Sequence, residues 1–248
     1  MTLYKYVHEA RVDVLEKLRI RFTQARALND PFDVNPCLTD FVQGSIDFAL
    51  ERSRGETPTE AQLRESALKI TEDFKRQLDI DYLILSLSKR NDKMLMWAHY
   101  ANCHRGLVFG MDEHHRFFRG TGITTGLMPV EYSETRFKMP RAEDWKEGDL
   151  ILPAVLRKSR DWEYEEEVRV FARTVAACER IEIPRSGPVY LLPFQKELLT
   201  EVIFGIYSSE DVKVKVRDLI ARNCPHVRLF QAKLNDTSFD LDIEPLAT

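Results

Sequence analysis

The sequence predicts an α+β fold with a mostly antiparallel sheet and a helical portion towards the N-terminal end. Two amphipathic helical patterns lie together between about residues 39 and 80. Short apolar segments of strand type follow one another through the second half, without the strict strand–helix alternation of a doubly wound sheet. At 248 residues with 44% hydrophobic content, the chain can bury a sizeable core. We therefore predict one domain over residues 1–248, with a helical insertion at about 39–80.

The first residues predict a strand, a helix and a second strand. Residues 3–7 and 19–22 have strand character, and apolar residues recur at helical spacing between them. Asn29, Asp30 and Pro31 then predict a tight turn. Proline forces its predecessor out of helical geometry, and Asn and Asp side chains bond their own backbone in turns.

The helical pair follows this turn. The first helix is indicated by Phe41, Phe48 and Ala49 at helical spacing. The second helix is predicted to begin at Thr57, with Pro58 at the first helical position and with Glu60 completing a capping box. Its apolar stripe continues to Leu78.

The rest of the chain predicts mainly strands. Residues 91–102 indicate a helix or a tight loop, and a helix from about Asp211 to Asn223 has Ser208 or Ser209 as its cap. The predicted strands are residues 82–88, 106–112, 129–132, 165–172, 180–183, 189–192, 201–206, 226–232 and 238–243.

Composition restricts the classes of protein. A net charge of −4 argues against a protein that holds nucleic acid by bulk electrostatics, although a local basic stripe stays open. The four cysteines lie far apart, and no apolar signal segment follows Met1. No apolar run approaches the roughly 20 residues that a membrane-spanning helix needs. We therefore predict a soluble, cytoplasmic protein with reduced thiols and no membrane contact.

One predicted strand carries charge on a single face. At a period of two, Trp162, Tyr164, Val168 and Val170 share one face, and the other face holds Glu163, Glu165, Glu167 and Arg169. Close carboxylates repel one another unless a cation, solvent or a ligand compensates. Two interpretations stay open, a solvated outer face and the wall of a cleft. In a cleft, Glu167 with Glu165 beside it would be the catalytic pair.

A second segment combines aromatic rings and histidines. In a helix, Trp97, Tyr100 and His104 share a face, either as core residues or as a stacking platform for a planar ring. The histidines lack metal-binding spacing, so no metal site is predicted.

Several strings together resemble the bacterial family known as domain of unknown function 2971. The resemblance covers residues 3 to about 206 and implies no reaction. The strings are Leu3-Tyr4-Lys5-Tyr6, Leu28-Asn29-Asp30-Pro31-Phe32-Asp33, Ser86-Leu87-Ser88, Asn91, Met96-Trp97-Ala98-His99-Tyr100, His104-Arg105-Gly106, Val130-Glu131-Tyr132, Lys158, Trp162-x-Tyr164-Glu165-x-Glu167-x-Arg169 and Val202-Ile203-x-Gly205.

The order of elements also resembles DNA-targeting ADP-ribosyltransferase toxins of the DarT type. This likeness implies an ADP-ribosyltransferase-like split sheet, NAD as cofactor, Glu167 as catalytic residue with Glu165 beside it, and a place in bacterial defence or toxin systems. Lys5 stands where those enzymes carry a histidine. The acceptor stays open between nucleic acid and protein. The residues implied to contact the cofactor are Tyr4, Lys5, Asn29, Trp97, His99, Tyr100 and Arg169.

Two other classes of function remain. A divergent metal-dependent nuclease would use Asp112, Glu165 and Glu167 to bind Mg²⁺. Arg169 stands where such nucleases use lysine, and a permanently protonated guanidinium cannot act as a base. A non-catalytic interaction or sensor protein would use its acidic face to bind another protein.

Overall fold

A computed structural model describes residues 1–37, 39–52, 59–120, 123–138, 151–183 and 187–246. The chain divides into two compact units. The first consists of Met1–Thr23, Ile84–Pro129 and Glu163–Thr248, and the second of Gln24–Leu83 and Val130–Trp162. The helical insertion predicted at about 39–80 falls within the second unit. That the whole chain is one domain stays a prediction.

Helices and strands are numbered in chain order. The α-helices are α1 Asp13–Lys17, α2 Thr39–Arg52, α3 Glu60–Asp81, α4 Met94–Tyr100, α5 Ile151–Leu156 and α6 Glu210–Asn223. The strands are β1 Thr2–Val7, β2 Arg19–Phe22, β3 Tyr82–Ser88, β4 Leu107–Asp112, β5 Met128–Pro129, β6 Glu131–Ser133, β7 Arg157–Ser159, β8 Glu167–Arg173, β9 Glu179–Ile183, β10 Gly187–Pro193, β11 Leu199–Phe204, β12 Arg228–Leu234 and β13 Leu241–Pro245.

The first unit is built on an eight-stranded sheet in the order β13-β12-β11-β4-β1-β3-β8-β5. β11 and β12 are parallel and are connected by α6, whereas β1 pairs antiparallel with both β3 and β4. A separate antiparallel sheet has the order β2-β10-β9. The predicted mixed class with a mostly antiparallel sheet is confirmed.

β4 lies near the middle of the large sheet, and its apolar side chains are buried on both faces. This burial explains its continuous apolar sequence, since a strand covered on both sides needs no polar alternation. The core residues of α4 pack on the same sheet, where the Tyr6 and Trp97 rings meet edge to face at 5.4 Å.

The second unit contains the paired helices α2 and α3 and the parallel pair β6–β7. The predicted cap of the second helix is wrong. Thr59 is the N-cap, and its side chain and the Gln62 side chain form the capping box in place of Thr57 and Glu60. Thr57 and Pro58 lie outside the described residues. Glu60 lies three positions after Thr57, and Gln62 lies three positions after Thr59, so spacing alone could not distinguish the two pairs.

The predicted turn at Asn29-Asp30-Pro31 is confirmed. The Asp30 carboxylate accepts a hydrogen bond from the main-chain N–H of Phe32 at 2.8 Å, which is the contact that a short acidic side chain makes in a turn. None of the helices within the described ranges is both long and apolar enough to cross a membrane.

The continuous strand predicted over residues 162–170 is wrong in its first half. Arg160–Glu165 form a 3-10 helix, and β8 begins only at Glu167. The Ser159 hydroxyl accepts a hydrogen bond from the N–H of Asp161 and so starts the helical turn. Glu166 then adopts a left-handed φ of +42°. Trp162 to Glu165 therefore do not alternate between the two faces of a sheet.

Candidate functional site

Trp97 belongs to the core of the first unit. Its ring has no exposed surface, and its indole N–H donates to the carbonyl of Asn91 at 2.8 Å. A ring without exposed surface cannot stack on a ligand, so the cofactor contact predicted for Trp97 is wrong. The bonded, packed indole is instead the usual condition of a buried tryptophan.

Tyr4 and Lys5 are neighbours on β1 and therefore point to opposite faces of the sheet. Tyr4 lies near Glu201 and Arg228, and burial followed by the Glu201 charge raises its pKa to about 12. Lys5 donates through Nζ to the carbonyl of Ser86 at 2.9 Å. β1 thus separates two residues that the sequence placed in one cofactor site.

Lys5 is an ammonium group in a poorly hydrated position. Desolvation lowers its pKa to about 8, although the charges of Glu167 and Glu165 act in the opposite direction. The cations Arg21 and Arg11 lower its pKa further. Both predicted catalytic carboxylates are thus close enough to act on Lys5 electrostatically.

Glu167 and Arg169 form a buried ion pair on β8. Arg169 donates from Nε to Glu167 Oε1 at 2.8 Å and from a terminal nitrogen to Oε2 at 3.1 Å. Arg169 has no exposed surface, and Glu167 is 5% exposed. The interpretation of a solvated acidic face is therefore wrong, because β8 lies between β3 and β5 and is buried on both faces.

Glu165 ends the 3-10 helix and is only 3% exposed. Its carboxylate accepts a hydrogen bond of 2.5 Å from the Tyr100 hydroxyl on α4. Its main-chain carbonyl accepts a hydrogen bond of 2.6 Å from the Ser88 hydroxyl at the end of β3. Two elements that are distant in sequence therefore fix the position of this carboxylate.

The structure brings together five of the predicted residues, which we name the Glu165 cluster: Lys5, Tyr100, Glu165, Glu167 and Arg169. His99 lies beside it, exposed, with its ring 6.1 Å from that of Tyr100. Asn29 belongs to the second unit, where it is exposed. The set of residues implied by the toxin likeness is therefore only partly assembled within the first unit.

Sequence reasoning did not assign a role to Ser88, Arg11 or Arg21. Ser88 stands in a string already noted for the family resemblance, and its hydroxyl both bonds Glu165 and accepts from the N–H of Arg90. Its position at the end of a mainly apolar strand was the available signal. The two arginines carried no local pattern that relates them to Lys5.

The nuclease interpretation needs several carboxylates around one metal ion. Asp112 ends β4, and its carboxylate accepts from the N–H of His114 at 3.0 Å. Within the described ranges, no group of three or more His, Cys, Asp or Glu side chains is placed to hold a metal ion. The described residues therefore do not assemble the ligand set that this interpretation requires.

Residues 96–170 match the model of a family described as protein of unknown function, DUF2971. The family resemblance seen in the sequence is confirmed over these residues. The DUF2971 segment begins within α4 and ends within β8, so it contains Tyr100, Glu165, Glu167 and Arg169 but not Lys5. No curated protein and no solved structure matches the chain.

Proposed function

We propose that this protein is an ADP-ribosyltransferase-like enzyme that uses NAD and that Glu165 is its catalytic carboxylate. The observation that carries the proposal is the placement of a buried carboxylate 2.5 Å from the Tyr100 hydroxyl and near Lys5, whose pKa is lowered to about 8. Buried ionisable groups of this kind are costly to maintain and are concentrated at functional sites.

Glu165 has the chemistry that the reaction needs. When the bond between nicotinamide and ribose breaks, the electron pair leaves with nicotinamide and positive charge develops on the ribose carbon. A fixed carboxylate in a poorly hydrated position stabilises that charge. The Tyr100 hydroxyl donates to the carboxylate, and such a hydrogen bond favours the ionised form.

Glu167 takes a different role from the one the sequence suggested. Both of its oxygens accept hydrogen bonds from Arg169, so its charge is compensated within β8. We assign it as a positioning residue that holds the start of the strand after Glu165. Lys5 is the cation for the cofactor's phosphates, since a desolvated ammonium interacts strongly with an anion.

The toxin likeness supports the same reaction class. It rests on the order of an opening strand, a segment rich in methionine and tyrosine, an apolar strand and a later strand with acidic residues. An ADP-ribosyltransferase-like split sheet, a role in bacterial defence and an acceptor that is nucleic acid or protein all belong to this proposal. The DUF2971 segment supplies the acidic strand and the tyrosine.

The test measures, by chromatography, how much nicotinamide the full chain releases from NAD. We expect release by the wild type and a decrease of roughly 100-fold or more for Glu165→Gln. Glu163→Gln is the matched control because Glu163 lies in the same 3-10 helix but is exposed. Equal rates for Glu165→Gln and the wild type, or no binding and no cleavage of NAD by a folded wild type, would overturn the proposal.

A non-catalytic interaction or sensor protein is the second candidate. The nearly complete burial of Glu165 and Glu167 favours it, because both carboxylates bond partners within the chain. In that case Glu165→Gln lowers the free energy of unfolding while NAD remains intact with every variant. Chemical denaturation and the nicotinamide assay together separate the two candidates, because only the first candidate predicts cleavage of NAD.

A further inference from the structure

The second unit contains charged and aromatic residues that the proposed reaction does not use. The strings Asn29-Asp30-Pro31-Phe32-Asp33 and Lys158 belong to the family resemblance, yet they lie outside the Glu165 cluster. The structure brings parts of both together around one cleft. All of these residues lie in the second unit, and their use does not depend on ADP-ribosyl transfer.

Lys158 is the buried charge of this region. Its side chain is 4% exposed, and Nζ lies 3.9 Å from a carboxylate oxygen of Asp33. The same Nζ lies 5.1 Å from the centre of the Trp162 ring. A carboxylate and an aromatic face together stabilise an ammonium group that burial would otherwise disfavour.

Lys158 lines a cleft of about 200 Å³. The other lining residues include arginines, residues with hydroxyl groups, and phenylalanines. The parallel pairing of β6 and β7 places Ser133 opposite Ser159, and both serines line the cleft. The lining also includes Phe32, Arg136, Phe137 and Arg157.

The two arginines are held with their guanidinium groups over aromatic rings. Arg136 lies 5.5 Å from the centre of the Phe32 ring, and Arg157 lies 5.8 Å from that of Phe137. Arg157 also pairs with Glu131 at 2.7 Å. Such stacking orients a guanidinium while leaving its edge for hydrogen bonds.

Arg136 differs from Arg157 in its partners. Its guanidinium donates to the main-chain carbonyls of Asn35 and Pro36, and no carboxylate in the described part of the chain pairs with it. Glu134, the acidic residue of the lining, is 73% exposed and pairs with Arg160 at 3.2 Å. The lining thus holds three cations and one outward carboxylate, while Lys158 and Arg157 pair with carboxylates outside the lining.

We propose that this cleft binds the phosphate group of a nucleotide, either free or as a unit of a nucleic acid. Arginines and a lysine provide charge-assisted hydrogen bonds to phosphate oxygens, and serine hydroxyls add neutral ones. Phe32, which is 60% exposed, offers a ring on which a base can stack. The negative net charge of the chain does not oppose this binding, since the basic groups are local.

The test is calorimetric titration of the full chain with inorganic phosphate, AMP, adenosine and a ten-nucleotide single-stranded DNA. We expect phosphate and AMP to bind and adenosine to bind much more weakly than AMP. Arg136→Gln should weaken AMP binding by about tenfold or more, the loss typical of a charge-assisted hydrogen bond. The matched control is Arg76→Gln, because Arg76 is an exposed arginine of the same unit that pairs with Asp73.

The DNA titration identifies the source of the phosphate. Tighter binding of DNA than of AMP, with a steep decrease as salt increases, indicates a nucleic acid, and the reverse order indicates a free nucleotide. Ser133→Ala provides a second variant should Arg136→Gln melt at lower temperature than the wild type. No binding of any phosphate-bearing probe, or unchanged binding by both variants, would overturn the inference.

Discussion

Each compact unit contains a buried ion pair among its described residues, and these two pairs are built differently. Glu167 and Arg169 are two residues apart on one strand and share two short hydrogen bonds. Asp33 and Lys158 come from distant parts of the sequence, lie 3.9 Å apart, and include an aromatic ring as third partner. The first pair is created by strand periodicity, whereas the second exists only after its unit has folded.

This difference separates two uses of buried charge. A bidentate pair inside a sheet satisfies most of its own hydrogen bonds and has a structural role. A longer contact beside a cleft holds a cation in place without a bidentate bond between the two charges. Single substitutions at each pair test this distinction.

Arg169→Met should lower the free energy of unfolding by about 3–5 kcal/mol, because it leaves the Glu167 carboxylate buried without its guanidinium. Urea denaturation at pH 7 measures the loss. The double variant Arg169→Met with Glu167→Leu should recover most of it, since no charge then remains buried. A loss below about 1 kcal/mol for the single variant would contradict the structural role of this pair.

Lys158→Met should lower the free energy of unfolding by about 2–3 kcal/mol, less than Arg169→Met, because a contact of 3.9 Å is weaker than two hydrogen bonds. The same denaturation experiment measures it. Lys158→Arg is the informative companion, since it retains the charge and the ring contact. If Lys158→Met destabilised the protein more than Arg169→Met, the ranking of the two pairs would be reversed.

Lys5→Met should change how stability depends on pH. The pKa of Lys5 is about 8 in the folded chain and near 10.5 when exposed, so the unfolded chain binds more protons between these values. The wild type therefore gains stability from Lys5 as pH rises from about 8 to 10.5, and the variant lacks that gain. As pH rises through this range, the free energy of unfolding of the wild type should thus increase relative to that of Lys5→Met.

Denaturation at pH 7, 9 and 10.5 measures this change. Lys17→Met is the control, because Lys17 is an exposed lysine of the same unit. A pH-independent difference between Lys5→Met and the wild type would show that Lys5 is well hydrated. In a chain that keeps Lys5, Arg169→Met should raise the pKa of Lys5, because the charge of Glu167 would no longer be compensated.

Arg180→Gln should have the smallest effect, no more than about 0.5 kcal/mol. Arg180 pairs with Glu182 at 2.5 Å, and both side chains are more than half exposed. Water and salt screen such a pair, and ordering two long side chains offsets its attraction. Melting temperatures at low and high salt provide the measurement. An effect as large as that of Lys158→Met would remove the distinction between buried and exposed pairs.

Much of the fold was predictable from local patterns. The bounds of β3 and the capping of α6 by Ser209 follow from apolar runs and from a serine before a helical stripe. The strand predicted over 165–172 was nearly right for β8, but the preceding 3-10 helix was not expected. A short helical turn leaves little periodicity to detect.

The candidate site was predictable only in part. Glu165, Glu167 and Arg169 were selected from one charged segment, and the structure does bring them near Tyr100 and Lys5. Their burial was not predictable, because it depends on the position of β8 between two other strands. The bond between Tyr100 and Glu165 joins distant elements, which no local pattern records.

The interleaving of the two units has a consequence for synthesis on the ribosome. β4 ends at residue 112, but its neighbour β11 begins only at residue 199. At translation rates of 5–20 residues per second, the nascent chain exposes one edge of β4 for roughly 4 to 17 seconds. An unpaired apolar edge invites pairing with other chains. We therefore expect slower translation, or lack of a ribosome-associated chaperone, to reduce the yield of native protein. The free energy of unfolding of the protein that has folded should change little.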